Sequence, residues 1–375
     1  MRDYGVRGKS ICLVSHGSQV KNNTSIMDKD VFSLFKKDIE GNKKTVLFIG
    51  AGINYSKNNP MTWPYLLKHL TEHALVMMNA TDEERQIVKK AFLGDPKNET
   101  VESLKLLRKA DQLFPVEVKA SIVKQLLGDA YIPFLKEFLY GVKDDGKQKK
   151  DTHEWLREGC QQYMAGKDTD ETPFRSLISL ADFILHHENI KAVVTYNYDD
   201  FLTCAINQLK KDDNFKPQGK RKKLNPLDIY SGWHDAPLKD DDFLIYHIHG
   251  MAPPDNKITP HCSNQIVLSL EEFYDVAKDV YSWQSAVQIF FLTHYTCVFI
   301  GASLSDMTMQ RVLHYANLKQ SGENVYYLSA KLPYENESEE VLEKLKNSYF
   351  GFLGLKVIYD TGGYGKLYER LNSIK

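Results

Sequence analysis

A chain of 375 residues, 42% hydrophobic and 26% charged, has room for two ordinary domains or for one carrying a large insertion, and its composition is far from that of disordered proteins. Its formal net charge of −1 supplies no whole-molecule field that would draw in nucleic acid or an anionic membrane surface. The five cysteines, Cys12, Cys160, Cys204, Cys262 and Cys297, are odd in number and none is at metal-ligand spacing from another, which argues against a disulfide framework and a zinc ribbon.

The first residues lack a charged segment followed by a long apolar one, and no stretch approaches bilayer-spanning length. A soluble, cytoplasmic protein is expected, and scattered single thiols suit a reducing compartment. His16, within Ser15-His16-Gly17-Ser18, reads as loop. Residues 28–41 read as a helix, with Val31, Leu34, Phe35 and Ile39 at helical spacing and Gly41 as the stop. Thr45–Ile49 is a short dry run ending in Gly50-Ala51-Gly52, the pattern of a strand covered on both faces.

From about Trp63 to His187, apolar residues recur at helical steps with charged residues between them, and β-branched runs are scarce. This pattern predicts a helical module inserted where a Rossmann-type unit would hold one crossover helix. Within it, Gly141–Asp151 is predicted as an exposed loop, and the basic run Gly219–Lys223 as a solvated one. Strands are then predicted at Lys191–Thr195, Phe243–Ile248, Gln265–Leu268, Thr296–Ile300, Val325–Leu328 and Leu355–Tyr359. Helical patterns at Leu270–Lys278, Ser282–His294, Met307–Leu318 and Glu339–Tyr349 separate most of them. The fold class is therefore α/β, a Rossmann-like, mostly parallel sheet with helices on both faces.

In such sheets ligands bind beyond the carboxyl ends of the strands. Four predicted strand ends carry glycine or small polar residues: Gly50-Ala51-Gly52, Thr195-Tyr196-Asn197-Tyr198-Asp199-Asp200, His247-Ile248-His249-Gly250 and Gly301-Ala302-Ser303-Leu304. The first three have a simpler reading. The glycine pair could be a tight strand-to-helix turn without a ligand, although small residues there also let backbone approach a phosphate. Asn197 and Asp199 could cap a helix starting near Phe201. His247 and His249 are expected on one strand face, but with no cysteine or carboxylate partners at ligand spacing no metal is expected, and His247 reads as a buried structural histidine. Trp63 and Tyr196 could pack, or wall a pocket. The third glycine and the downstream acidic residue of a dehydrogenase fingerprint are missing, which disfavours hydride transfer.

Taken in order, the four motifs, together with Pro60-Met61-Thr62-Trp63 behind the first, resemble the sirtuin superfamily, and specifically the divergent Sir2-like NAD-hydrolase branch of bacterial anti-phage defence. The resemblance covers roughly 44–62, 191–204 and 243–312. It implies NAD as substrate, with Gly50, Ala51 and Gly52 cradling the pyrophosphate and Ile53, Trp63 and Thr195 in the same binding site. Asn197 would hold a water or the ribose beside the anomeric carbon, and Asp199 would serve the nicotinamide pocket or order that loop. His249 would be the general base, and Gly301 and Ser303 would contact the adenosine side. The implied layout is an N-terminal extension at 1–43, a Rossmann NAD-binding domain at 44–62 and 191–375, and the inserted helical module at 63–190.

Protein-deacylating sirtuins carry a zinc module with two cysteine pairs after the His-Gly motif. Here residues 251–264 hold only Cys262, so no zinc module is expected and deacylation is disfavoured. Asn54 stands where a serine is expected, and the downstream Asp-Phe-Arg is missing. Water is the simplest remaining acceptor, which predicts an NAD glycohydrolase that depletes the cell's NAD. A homo-oligomer and a partner such as a HerA-type ATPase are expected by the same resemblance, without membrane or direct nucleic-acid binding. The alternatives are an ADP-ribosyltransferase or protein deacylase, and a non-catalytic module that binds NAD or ADP-ribose.

Overall fold

The computed structural model describes residues 31–54, 61–93, 101–141, 143–144, 149–211, 229–230, 243–254, 266–279, 282–304, 307–316, 324–330, 337–360, 368 and 370–374. A helix over residues 31–40 (α1) leads into β1 (Thr45–Ile49), whose five residues are all buried. A single 3-10 turn, Ala51–Asn54, follows directly. The helical segment then supplies α2 (Trp63–Met77), α3 (Asp82–Leu93), α4 (Val101–Leu113), α5 (Val116–Leu127) and α6 (Tyr131–Tyr140). A two-stranded antiparallel ribbon, β2 (Lys143–Asp144) with β3 (Lys149–Lys150), precedes α7 (Thr152–Met164) and α8 (Arg175–His186).

The main sheet resumes with β4 (Ile190–Thr195), followed by α9 (Phe201–Lys211), β5 (Ile229–Tyr230) and β6 (Leu244–His247). After α10 (Leu270–Lys278) and α11 (Trp283–His294) come β7 (Thr296–Ile300), α12 (Met307–Ala316), β8 (Val325–Ala330), a helix at Glu337–Leu353 (α13) and β9 (Lys356–Asp360). Among the described residues the sheet has seven strands in the order β5-β6-β4-β1-β7-β8-β9, and every pairing is parallel. With β5 set aside at the edge, the order is that of the doubly wound Rossmann sheet. The chain starts at the centre, builds outward to β6, then crosses to β7 on the other side of β1. The winding reverses between β1 and β7, the place where such sheets bind ligands.

Alternation along the strands sorts the core into two layers. Leu47, Ile49, Val193, Val298, Ile300, Tyr326 and Leu328 face one cluster, covered by α1, α8, α9 and most of the helical segment. Val46, Phe48, Val194, Phe299 and Tyr327 face the other, covered by α11, α12 and Phe350 of α13. Runs buried on both faces account for the near-continuous apolar strands. The first cluster extends without a break from the sheet into α2, α5, α6 and α7. α1 belongs to it as well: Phe35 and Ile39 are buried, and Phe35 meets Tyr326 edge-on at 5.1 Å.

Three expectations are corrected. Gly141–Asp151 is not merely loop, because Lys143 pairs with Lys150 and Asp144 with Lys149 across a short ribbon. The predicted strand at Gln265–Leu268 does not form over its described residues, 266–268. That segment is buried, with Val267 N–H donating to the His249 carbonyl at 2.9 Å. β6 ends at His247, so His249 lies in a turn and the two histidines share no strand face. The readings at His16 and Gly219–Lys223, as well as Cys12 and Cys262, lie outside the described residues. Cys160, Cys204 and Cys297 are free thiols. Among the described residues no helix is long and apolar enough to cross a membrane.

Candidate functional site

The first glycine motif and the fourth interlock at the reversal point. Gly52 N–H donates to the Gly301 carbonyl at 2.9 Å, and Gly50 N–H to the Ile300 carbonyl at 3.0 Å. A Cβ at Gly50 would stand 2.7 Å from Ala302 Cα, and one at Gly52 would stand 2.7 Å from the Gly301 oxygen. Gly301 itself has φ +65°, and a Cβ there would press Ile53 N at 2.7 Å. These positions are therefore closed to larger residues by backbone packing between β1 and β7, independently of any ligand. Leu304, buried and with φ +56°, closes the same loop in a backbone conformation that costs free energy for a bulky side chain.

Beside this turn, the loop after β4 carries the polar residues. Asp199 is buried and bonded on both oxygens: Oδ1 accepts the Phe201 N–H at 3.1 Å and Oδ2 accepts Asn54 Nδ2 at 2.6 Å. It thus caps the start of α9, as the helix-cap reading of the sequence allows, and also ties this loop to the end of the first glycine turn. Burial pushes its carboxyl up to about 7, helped by the charge of Asp200 and opposed by the bonds from Phe201 and Asn54. Asn197 N–H donates to Thr195 Oγ1 at 3.1 Å, and the Asn197 carbonyl meets His247 Nδ1 at 3.0 Å. Burial holds the His247 ring down at about 4, the bond to Asn197 acting against it.

A cavity of about 10 Å³ lies at this loop, lined by Ile53 and by the polar residues Thr195, Asn197, Asp199, Asp200, Thr203 and His247. Leu177 of α8 closes it from the helical segment. The predicted residues Ile53, Thr195, Asn197 and Asp199 therefore meet around one space. His249 is not among the lining residues. It is buried against the rings of Tyr196 at 5.2 Å and Phe273 at 5.3 Å. Tyr196, whose hydroxyl donates to Gln288 Oε1 at 2.6 Å, packs on the opposite core layer. Trp63 stands at the start of α2, half-buried against the first core layer, and Ser303 is exposed on the loop after β7.

Two residues acquire importance that the sequence did not reveal. Asn54 reads only as a departure from an expected serine, yet it is the donor that holds Asp199. Asp200 accepts His153 Nε2 from α7 at 2.8 Å and Cys204 Sγ at 3.4 Å. Burial works against charge on His153, but the bond and the charge of Asp200 outweigh it and raise the ring's pKa. The ligand atoms of His153, Asp200 and Cys204 lie within 4.8 Å of one another, as do those of His69, His73 and Glu137 between α2 and α6. In the first group, these hydrogen bonds already engage the atoms that would ligate a metal.

No curated protein matches the chain. Residues 191–350 match the family model described as the SIR2-like domain. The match opens at β4 and runs into α13; β1 and its glycine turn precede it in sequence but pair between β4 and β7 in the sheet. It supports a sirtuin-like, NAD-related function. The chain thus carries a segment similar to the SIR2-like domain over residues 191–350.

Proposed function

We propose that the chain is an NAD glycohydrolase: water attacks the anomeric carbon of the nicotinamide ribose, the glycosidic bond breaks, and nicotinamide, ADP-ribose and a proton are released. The observation that carries this reading is the bond from Asn54 to Asp199 at 2.6 Å. It joins the glycine turn of β1 to the Asn197–Asp199 loop at the reversal point of the sheet, the crevice where a dinucleotide fits this fold.

In this reading Gly50, Ala51, Gly52 and Ile53 approach the pyrophosphate, Gly301 and Ser303 the adenosine side, and Trp63, Thr195 and Asp199 the nicotinamide side. The leaving group departs neutral from a cationic glycoside, so no strong acid is needed. Asn197 fixes the reacting oxygen or the ribose, and His249 takes up the proton, the task for which an imidazole is suited near neutrality. No metal enters the step. The resemblance to defence proteins extends the proposal to depletion of cellular NAD during infection, by an oligomer restrained until triggered or with a partner ATPase of the HerA type.

Purified chain incubated with NAD should yield nicotinamide and ADP-ribose in equal amounts. Asn197→Ala and His249→Ala, each with an unchanged circular dichroism spectrum, should lower kcat/KM by about 10²–10⁴. Isotopic ADP-ribose found on a macromolecule would indicate a transferase, and tight NAD binding without nicotinamide release a regulatory module. Full turnover in both variants would sink the proposed site.

A further inference from the structure

His247 is more deeply buried than Asn197 or Asp199, at 2% exposure, and the proposed cleavage gives it no task. Its Nδ1 lies 3.0 Å from the Asn197 backbone oxygen. A carbonyl oxygen only accepts, so Nδ1 carries a proton and donates it. With the ring's pKa held at about 4 by burial, the imidazole is neutral at neutral pH and that proton is its only one. Nε2 is then a bare acceptor, and it is buried with no hydrogen-bond partner among the described residues.

Asn197 Oδ1 is in the same condition, a buried acceptor with no partner among the described residues. Two acceptors cannot satisfy each other, and a buried polar atom left unpaired is costly. Both residues line the cavity of about 10 Å³, and a single water needs ~10–15 Å³ by the same measure. What fits between two acceptors in that volume is one small molecule with two donors. The Thr195 hydroxyl lines the same space and, having accepted the Asn197 N–H through Oγ1, retains a proton to donate to such a molecule.

We propose that this cavity binds one water molecule, which donates one hydrogen to His247 Nε2 and the other to Asn197 Oδ1, making His247 a positioning residue for Asn197. The bridge commits Oδ1 to the inside of the protein, so the Nδ2 donors are what Asn197 offers on the substrate side. Asn197 then acts as a donor to a ribose or water oxygen, a consequence that rests on the glycohydrolase reading, whereas the bound water does not.

Three readouts test this on the full chain. Crystals of the ligand-free protein, resolved well enough to place waters, should hold one within about 3.2 Å of both atoms. A dry cavity, or Nε2 bonded directly to a protein donor, overturns the proposal. Nitrogen-15 NMR of the histidine rings at neutral pH should report His247 as the neutral Nδ1–H form, and an Nε2–H form overturns it. The third readout separates positioning from packing. His247→Gln keeps an acceptor near the place of Nε2, and His247→Asn keeps a donor near the place of Nδ1. With KM for NAD unchanged, the Gln variant should hold kcat within about threefold and the Asn variant should lose about tenfold or more. A histidine that matters only for its bond to the Asn197 carbonyl gives the opposite order. The first two readouts need no turnover, so they decide the bound water separately from the proposed cleavage, which the Asn197→Ala and His249→Ala variants test.

Discussion

At the residue scale, Asp199 holds the loop geometry and is also poised to titrate near neutrality. An unfolded aspartate loses its proton near ~3.9, whereas burial keeps the folded carboxyl protonated up to about 7. A folded pKa above the unfolded one means that the native state binds the extra proton. Stability from this group is therefore fully present below the unfolded value and falls as pH rises from about 4 to about 7. Asp199→Asn removes that slope. The melting temperature of the variant, whatever its offset, should move in its favour relative to wild type between about pH 5 and about pH 8. Parallel profiles would mean that Asp199 is ionised throughout. The helix-cap role of Asp199 was legible in the sequence, because Asn and Asp before an apolar helical pattern favour that position. The bond from Asn54 was not, since it spans 145 positions and depends on β1 pairing with β4. Nor was the separation of His247 from His249, which follows from a strand ending at His247, one residue before its predicted end, with a turn after it.

At the scale of elements, the strands were the most legible feature. Thr45–Ile49 and Thr296–Ile300 form over the predicted residues because dry runs of five that stop at a glycine are unambiguous. Two-residue pieces were not legible. Ile229–Tyr230 and the ribbon at Lys143–Lys150 are shorter than any period that sequence can display, and they exist because a neighbouring strand pairs with them. The ribbon delivers the chain to α7, where Asp151 and Glu154 form a reciprocal cap: Glu154 N–H donates to Asp151 Oδ1 at 2.7 Å and Asp151 N–H to Glu154 Oε2 at 3.1 Å. Asp151→Ala should cost about 1 kcal/mol of stability in denaturant unfolding. The same change takes a negative charge from beside His153 and so lowers that ring's pKa, which histidine NMR titration can follow. Because a raised histidine pKa stabilises below the unfolded value of ~6.5 and loses that contribution as pH rises through the folded value, the variant's deficit should be largest in mild acid. A deficit independent of pH would leave only the backbone cap at work.

At the scale of the whole molecule, the helical segment is not an appendage to the sheet. α8 is the crossover helix between β1 and β4, its Leu177 walls the cavity that Asn197 lines, and α7 reaches Asp200 through His153. Trp155 of α7, Leu135 of α6 and Leu70 of α2 lie in the same apolar cluster as Ile49 and Val193 of the central strands. Deleting the helices would bare one face of a parallel sheet whose stability depends on having both faces covered. Unfolding should therefore be one cooperative event for sheet and helices together. Two variants make this measurable, one keeping Trp155 as its sole tryptophan and the other keeping Trp283, which packs on the opposite layer. Their fluorescence transitions in denaturant should coincide with each other and with the loss of helical circular dichroism. If Trp155 is released at lower denaturant than Trp283, the helical segment opens separately. The wall supplied by Leu177 and the hold of His153 on Asp200 would then be parts of the site that can be withdrawn while the sheet stays folded.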